Sequence, residues 1–407
     1  MPTESPVSVT LAAAAAPYQK TLSAALLCAG MLRQLINFAP ILDIQEPDQN
    51  GKLQQRKAFP SFALAKRLPW GLWSRLPKKL QPRPPIAGTV WLADWLVSRW
   101  IAPSRIFHGC AAASLASLRT AGQKGSITLV EAASCHPRHW KNVDREETWH
   151  FGVHSEDGAG NMAERLIRRM DQEFATCDRI IVPSAVAQKS FAEYGYGAKT
   201  LVVPTGVDAD FFSPSPAISP PALFRVCYVG RLEFAKGVGY LLQAWKRLAL
   251  PRAELLLVGE WKPQMESMLK SHANSTVRVT GFLPPHEVAR CYRESHLFVQ
   301  PSPNEGLAQV LLEAMASGLA VVATDRSGAS ECITSGTEGF TVPARNLDVL
   351  ADAILWCYRH SAETRAMGRA ARTRIERQFT LEHYNRRVLA LYRDLAAADL
   401  RPRQRSN

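Results

Sequence analysis

The sequence predicts an α/β protein built from two doubly wound domains, and three observations carry that prediction. The chain has 407 residues, more than one hydrophobic core usually organises, so two units of roughly 200 residues each are expected. From Arg225 onward, short apolar runs of strand length alternate with helical patterns, the signature of a parallel sheet with right-handed crossovers. Between the two halves, Ser213 to Pro221 is rich in serine and proline and marks a linker. The expected division is residues 1–205, a linker over 206–221, residues 222–380, and a last helix within 381–407.

In the first half, Val7 to Leu11 alternates like an opening strand, and after the run Ala12 to Ala16 a helix starts near Pro17, a favourable first-turn residue. Gly51 to Val90 contains no acidic residue and nine basic ones: Lys52, Arg56, Lys57, Lys66, Arg67, Arg75, Lys78, Lys79 and Arg83. Phe59, Phe62, Trp70 and Trp73 are interleaved with them, and frequent proline makes the stretch an irregular excursion from the sheet. Basic residues mixed with aromatics suit a membrane interface, would also suit single-stranded nucleic acid, and equally describe a solvated insertion whose rings cover the domain core. Ser104 to Cys110 and Ser126 to Glu131 read as later strands, each ending near a histidine, His108 and His136, which a doubly wound sheet would aim into one crevice. Cys135, His136 and His139 lack the helical spacing of a zinc motif, and no further ligand cluster follows, so no metal is expected there. Asp178 to Ser184 and Lys199 to Pro204 are short buried strands, after which Thr205-Gly-Val-Asp208 turns the chain outward.

The second half alternates cleanly. Strands are expected at Arg225 to Val229, Glu254 to Val258, Val277 to Thr280, Leu297 to Gln300 and Leu319 to Thr324. Helices are expected at Val238 to Leu248, Gln264 to Ser271, His286 to Glu294, from about Leu307, at Asn346 to His360, Ala362 to Gln378 and Leu381 to Ala398. The stretch P-S-P-N-E-G-L-A-Q-V-L-L-E-A-M-A-S-G, beginning at Pro301, stands at the carboxyl end of one strand and the amino end of the next helix. There, unpaired N–H groups and the positive end of the helix dipole face an anion.

Two carboxylates mark that stretch, Glu305 in the loop and Glu313 in the helix, eight residues apart. Eight helical residues would separate them by about 12 Å and turn them by about 80°. Paired carboxylates of glycosidases stand roughly 5 to 9.5 Å apart, so hydrolysis by that route fits poorly. The larger spacing suits two hydroxyl-bearing groups joined by a diphosphate, although a glutamate on an amphipathic helix is as readily a solvated surface residue.

The formal net charge of +13 calls for an anionic partner: a nucleotide, a lipid headgroup or a nucleic acid, the last on charge alone. Eight scattered cysteines without a C-x-x-C pair read as reduced core residues of a cytoplasmic protein. No basic region precedes the apolar run Val7 to Ala16, and no run reaches the 18 or so apolar residues of a spanning helix, so a soluble or peripheral protein is expected.

The stretch from Glu305 to Glu313 resembles the E-x7-E element of the group-1, family-4 retaining glycosyltransferases, which have the GT-B fold. The resemblance continues through Val229-Gly230-Arg231-Leu232, Lys236-Gly237 and Gly206-Val207-Asp208, strongly from about Asp178 onward and weakly before it. It departs from the family where E-G-F-G is usual and this chain has Glu305-Gly306-Leu307-Ala308, and where a Gly-rich loop is usual and this chain has Ala12 to Ala16. Asp208-Ala-Asp210 matches the metal-holding D-x-D of another glycosyltransferase class, but its place before a Pro-rich linker makes it coincidence.

The resemblance implies two Rossmann-like domains facing each other across a cleft, with the last helix packed back on the first. It implies that Glu305 holds hydroxyls of the donor sugar, that Glu313 holds the ribose, that Leu283 lies by the base, and that His136 contacts donor sugar or acceptor. Arg231 and Lys236 would face the amides of Gly306, Leu307 and Ala308 and stabilise the leaving phosphate, in place of a metal or other cofactor. The partners implied are a nucleotide-sugar donor, a hydroxyl acceptor that a lipid could carry, and an anionic membrane surface at the inner face of the cytoplasmic membrane, with no nucleic acid. A GT-B-like epimerase or phosphorylase is the enzyme alternative, and a sugar-nucleotide-binding or scaffold subunit without turnover is the non-enzyme one.

Overall fold

The computed structural model describes residues 7–13, 17–37, 43–48, 50–58, 86–153, 164–214, 222–272 and 274–398. The first sheet has eight strands: β1 (Val9–Ala13), β2 (Leu32–Asn37), β3 (Asp43–Pro47), β4 (Leu53–Ala58), β5 (Ile106–Cys110), β6 (Ile127–Glu131), β7 (Arg179–Val182) and β8 (Thr200–Val202). Their order is β4-β3-β2-β1-β5-β6-β7-β8, with β3 and β4 antiparallel to their neighbours. The start of the basic stretch therefore belongs to the sheet as its edge strand, and is not an excursion from it. Lys66, Arg67, Arg75, Lys78, Lys79, Arg83, Phe59, Phe62, Trp70 and Trp73 lie outside the described residues, as do Ala14 to Ala16 and most of the Ser/Pro linker.

The second sheet is wholly parallel: β9 (Phe224–Val229), β10 (Ala253–Val258), β11 (Val277–Gly281), β12 (Leu297–Gln300), β13 (Ala320–Thr324) and β14 (Gly339–Val342), ordered β11-β10-β9-β12-β13-β14. β9, β12 and β13 are buried along their whole length, because helices cover both faces; such strands read as unbroken apolar runs. Leu311, Met315 and Ile375 pack on one face, and Leu241, Trp245 and Ile354 on the other. From β9 the chain winds outward to β10 and β11, then returns to place β12 on the other side of β9. That reversal opens a crevice between β9 and β12 at the carboxyl ends of the strands, where doubly wound sheets bind ligands.

The helix Leu381–Ala397 returns to the first sheet. Tyr384 donates to Glu131 at 2.8 Å, the Tyr392 hydroxyl meets His108 Nδ1 at 2.5 Å, and Arg105 donates to the Ala396 carbonyl at 3.1 Å. Tyr384, Val388 and Tyr392 are fully buried there, each burial worth about 1.5–3 kcal/mol. The two crossings between domains lie side by side: Val207 N donates to Phe379 O at 2.9 Å and Leu381 N to Val207 O at 3.1 Å. A Cβ on Gly206 would stand 2.4 Å from the Thr380 carbonyl oxygen, so only glycine fits this crossing. Across the interface, Phe151 of the first domain stacks on Phe234 at 4.7 Å, and Arg345 donates to Glu146 at 2.8 Å and Glu147 at 2.5 Å. Among the described residues no helix is long and apolar enough to cross a membrane.

Candidate active site

The crevice between β9 and β12 is built by two loops forced close together. After β9 the chain runs through Gly230 and Arg231 to a short 3-10 turn, Phe234–Lys236, and then Gly237 takes φ 73° before the helix Val238–Leu248. Lys236 thus ends a turn ahead of the helix and does not open it. A Cβ on Gly237 would lie 2.0 Å from the Pro301 carbonyl oxygen, so the glycine permits both the left-handed turn and the approach of the β12 loop. That approach pairs the Lys236 ammonium with the Glu305 carboxylate, two side chains only 16% and 17% exposed.

The β12 loop is held from both domains. Glu305 N donates to the Arg326 carbonyl at 2.8 Å, and the Ser184 hydroxyl of the first domain donates to the Gly306 carbonyl. Leu307 and Ala308 are buried in the core with Leu311 and Leu312, and the helix starts at Gln309, two residues later than the sequence suggests. Ala308 stands at its cap with no side-chain cap bond, so its side chain satisfies none of the first-turn amides. Only part of the interval from Glu305 to Glu313 is helical, and the spacing derived for eight helical residues does not apply. Glu313 accepts from the Tyr292 hydroxyl at 3.2 Å, and burial raises its carboxyl from the ordinary 4.5 to about 7. Leu283, just past β11, is half-buried against the same core, beside the 74% exposed ring of Phe282.

Arg231 is brought to this crevice but not to Glu305. Its guanidinium, 57% exposed, pairs with Glu233 Oε1 at 3.0 Å, and Lys262 Nζ takes Glu233 Oε2 at 2.6 Å. Neither Glu233 nor Lys262 stands out in the sequence. The only signal is that an acidic residue follows G-R-L and a lysine follows the next strand's G-E-W.

His136 is not brought to the crevice. Its side chain is fully buried among Phe174, Phe191, Tyr194 and Tyr196, stacked on Tyr194 with ring centroids 4.2 Å apart. Nδ1 accepts from Arg138 N at 3.3 Å, Nε2 lies 3.3 Å from Asp171 Oδ1, and burial followed by the charge of Arg138 lowers its pKa from 6.5 to about 4. It is a neutral core residue capping the helix Pro137–His150. His108 does not share its surroundings: it lies within β5 under the last helix, and burial lowers it to about 4 as well. The neighbour of His136, Cys135, is the one that approaches the site. Its thiol, pushed up to about 12 chiefly by burial, lies within reach of the charges of Glu305 and Lys236. All eight cysteines are free thiols, and Cys28 alone is exposed rather than buried.

The first domain closes over Gly306. A Cβ there would lie 2.7 Å from Ser134 Cα, 2.9 Å from Pro183 Cγ and 3.1 Å from Ala133 O. Asp208 accepts from the amides of Phe211 at 2.9 Å and Asp210 at 3.2 Å, the work of a turn-capping side chain. No group of three or more His, Cys, Asp or Glu able to hold a metal occurs among the described residues.

Residues 224–360 match the family described as Glycosyl transferases group 1. A putative colanic acid biosynthesis glycosyltransferase, WcaL, of Escherichia coli is 28% identical over 209 residues, 48% of this chain and 52% of that protein, so the chain spans about half the length of the curated relatives it matches. The sucrose-phosphate synthase of Thermosynechococcus elongatus superposes with a TM-score of 0.67 at 21% identity, covering 97% of this chain and 100% of the other. HepE of Anabaena, solved in complex with UDP and glucose, superposes with a TM-score of 0.62 at 16% identity over 95% of this chain and 100% of the other. The fold is therefore GT-B, and the match to the group 1 glycosyl transferases lies in the second domain of this chain.

Proposed function

We propose that this protein is a retaining glycosyltransferase that moves a sugar from a nucleotide diphosphate to a hydroxyl acceptor in glycolipid, lipopolysaccharide or exopolysaccharide synthesis. The observation that carries this is the Lys236–Glu305 pair hung from β9 and β12 at the reversal of the sheet, beside uncapped helix amides. As the glycosidic C–O bond breaks, negative charge grows on the leaving phosphate. In this reading Lys236, Arg231 and the amides around Gly306 to Ala308 stabilise that charge, without a metal ion. Glu305, already fixed by the lysine, accepts hydrogen bonds from hydroxyls of the donor sugar, and Glu313 holds the ribose with the base near Leu283. The acceptor hydroxyl attacks from the face the phosphate is leaving and gives its proton to that phosphate, which retains the anomeric configuration.

The relatives named above, one in colanic acid biosynthesis and one solved with UDP and glucose, support this reading. A cytoplasmic, peripheral location with a lipid-linked acceptor belongs to the same proposal, and rests on the basic and aromatic stretch Gly51 to Val90. The test is to screen the purified protein against nucleotide sugars, with and without lipid acceptors on anionic vesicles, for released nucleoside diphosphate and for the anomeric configuration of the product. Donor binding without release under every acceptor condition would identify a non-catalytic sugar-nucleotide-binding subunit instead.

A further inference from the structure

We infer that Lys262 is a third cation of the donor crevice, and that Glu233 is the positioning residue that aims it, together with Arg231, at the diphosphate. The inference rests on the donor reading above. Glu233 is 1% exposed, yet its carboxylate points at no backbone amide. Each oxygen is ion-paired with one cation, Oε1 with Arg231 Nη2 at 3.0 Å and Oε2 with Lys262 Nζ at 2.6 Å, and neither oxygen accepts a hydrogen bond of good geometry from the described residues. A carboxylate withdrawn from water is costly unless it is paired, and removing a partner leaves that cost uncompensated. A carboxylate that served the fold alone would be satisfied by buried groups. Here both partners reach the surface, Arg231 at 57% and Lys262 at 28% exposure. Among the described residues no second carboxylate pairs with either cation.

The two loops that carry these cations are laced together. Leu232 N donates to Glu260 O at 2.8 Å, and Lys262 N donates to Leu232 O at 3.1 Å. A Cβ on Gly259 would stand 1.9 Å from the Gly230 carbonyl oxygen, so the loops touch backbone to backbone. The group hangs from the same β9 loop as Lys236: Glu233 stands at the cap of the turn Phe234–Lys236, and the Tyr228 hydroxyl donates to the Arg231 carbonyl at 2.9 Å. Three cations against two carboxylates leave one net positive charge and a fan of N–H donors, which complements a diphosphate and not a neutral nucleoside.

The test is isothermal titration of the full chain with ADP, GDP and UDP, then with the nucleoside of the tightest binder. Lys262→Gln should weaken diphosphate binding about 10-fold, the scale of one charge-assisted hydrogen bond, and leave nucleoside binding unchanged. Glu233→Gln should produce a similar selective loss, and Glu233→Asp should restore part of it. Diphosphate binding by Lys262→Gln at wild-type strength overturns the inference and leaves the donor reading standing. Equal loss of nucleoside and diphosphate affinity overturns it also, since a general loosening of the loop would do that. A wild-type protein that binds no nucleoside diphosphate overturns the donor reading and this inference together.

Discussion

Adding a single methyl group at Gly306 should separate chemistry from donor binding. Its Cβ would lie 2.7 Å from Ser134 Cα and 2.9 Å from Pro183 Cγ, where carbon atoms prefer about 3.5–4.0 Å. The atoms it strikes belong to the first domain, and two of them, Ser134 Cα and Ala133 O, are backbone that cannot rotate aside. The first domain must therefore back away by about 1 Å at this point, or the methyl must be absorbed at the 1–3 kcal/mol typical of overpacking. The donor loops hang from β9, β10 and β12 of the second domain and keep their geometry. Gly306→Ala should bind nucleoside diphosphate as the wild type does, while kcat falls about 10²-fold, the scale of a 1 Å misplacement between reacting groups. Isothermal titration and steady-state kinetics on the same preparation check both halves. Wild-type turnover would refute the domain contact as a working geometry, and loss of binding together with turnover would place the damage in the loop itself.

Glu313→Ala should mainly raise the donor KM, whereas Glu305→Gln should mainly lower kcat; two variants with wild-type kinetics would end the assignment of these carboxylates. Complete chelation should leave initial rates nearly unchanged while Lys236→Ala loses roughly 10²-fold, and a rate abolished by chelator and restored by Mn²⁺ would reverse the metal-independent mechanism. His108, at about 4 in the fold against an ordinary 6.5, takes up its proton more readily when unfolded. Its contribution to stability is complete above pH 6.5 and is lost as pH falls toward 4, at most about 3–4 kcal/mol at 1.36 kcal/mol per unit. Urea unfolding at pH 7 and pH 5 should show wild type losing more stability than His108→Gln, and identical losses would refute the burial argument.

The second domain was legible because its information is local. β9, β10, β12 and β13 are short apolar runs flanked by turn residues, and each was placed to within one residue by composition alone. Lys236-Gly237 and Glu305-Gly306 could be picked out because glycine is demanded wherever one backbone meets another. In Gly237 against Pro301 and Gly306 against Ser134 the structure supplies the physical cause. What the sequence could not yield depended on segments distant in the chain. β4 is the polar run L-Q-Q-R-K-A, which has no strand period and forms only because β3 offers it a ladder. His136 has the sequence of a strand-end ligand, but Phe174, Phe191, Tyr194 and Tyr196 arrive from residues 174–196 to enclose it. His108 and His136 end up on opposite faces of one sheet, because the helix Leu381–Ala397 returns to cover the first of them. The pairing of one buried carboxylate, Glu233, with two cations from two loops is likewise a product of the sheet order. Strand propensity and motif spacing act over a few residues and can be read in order; burial and charge pairing are set by which strands become neighbours, and only the folded chain decides that.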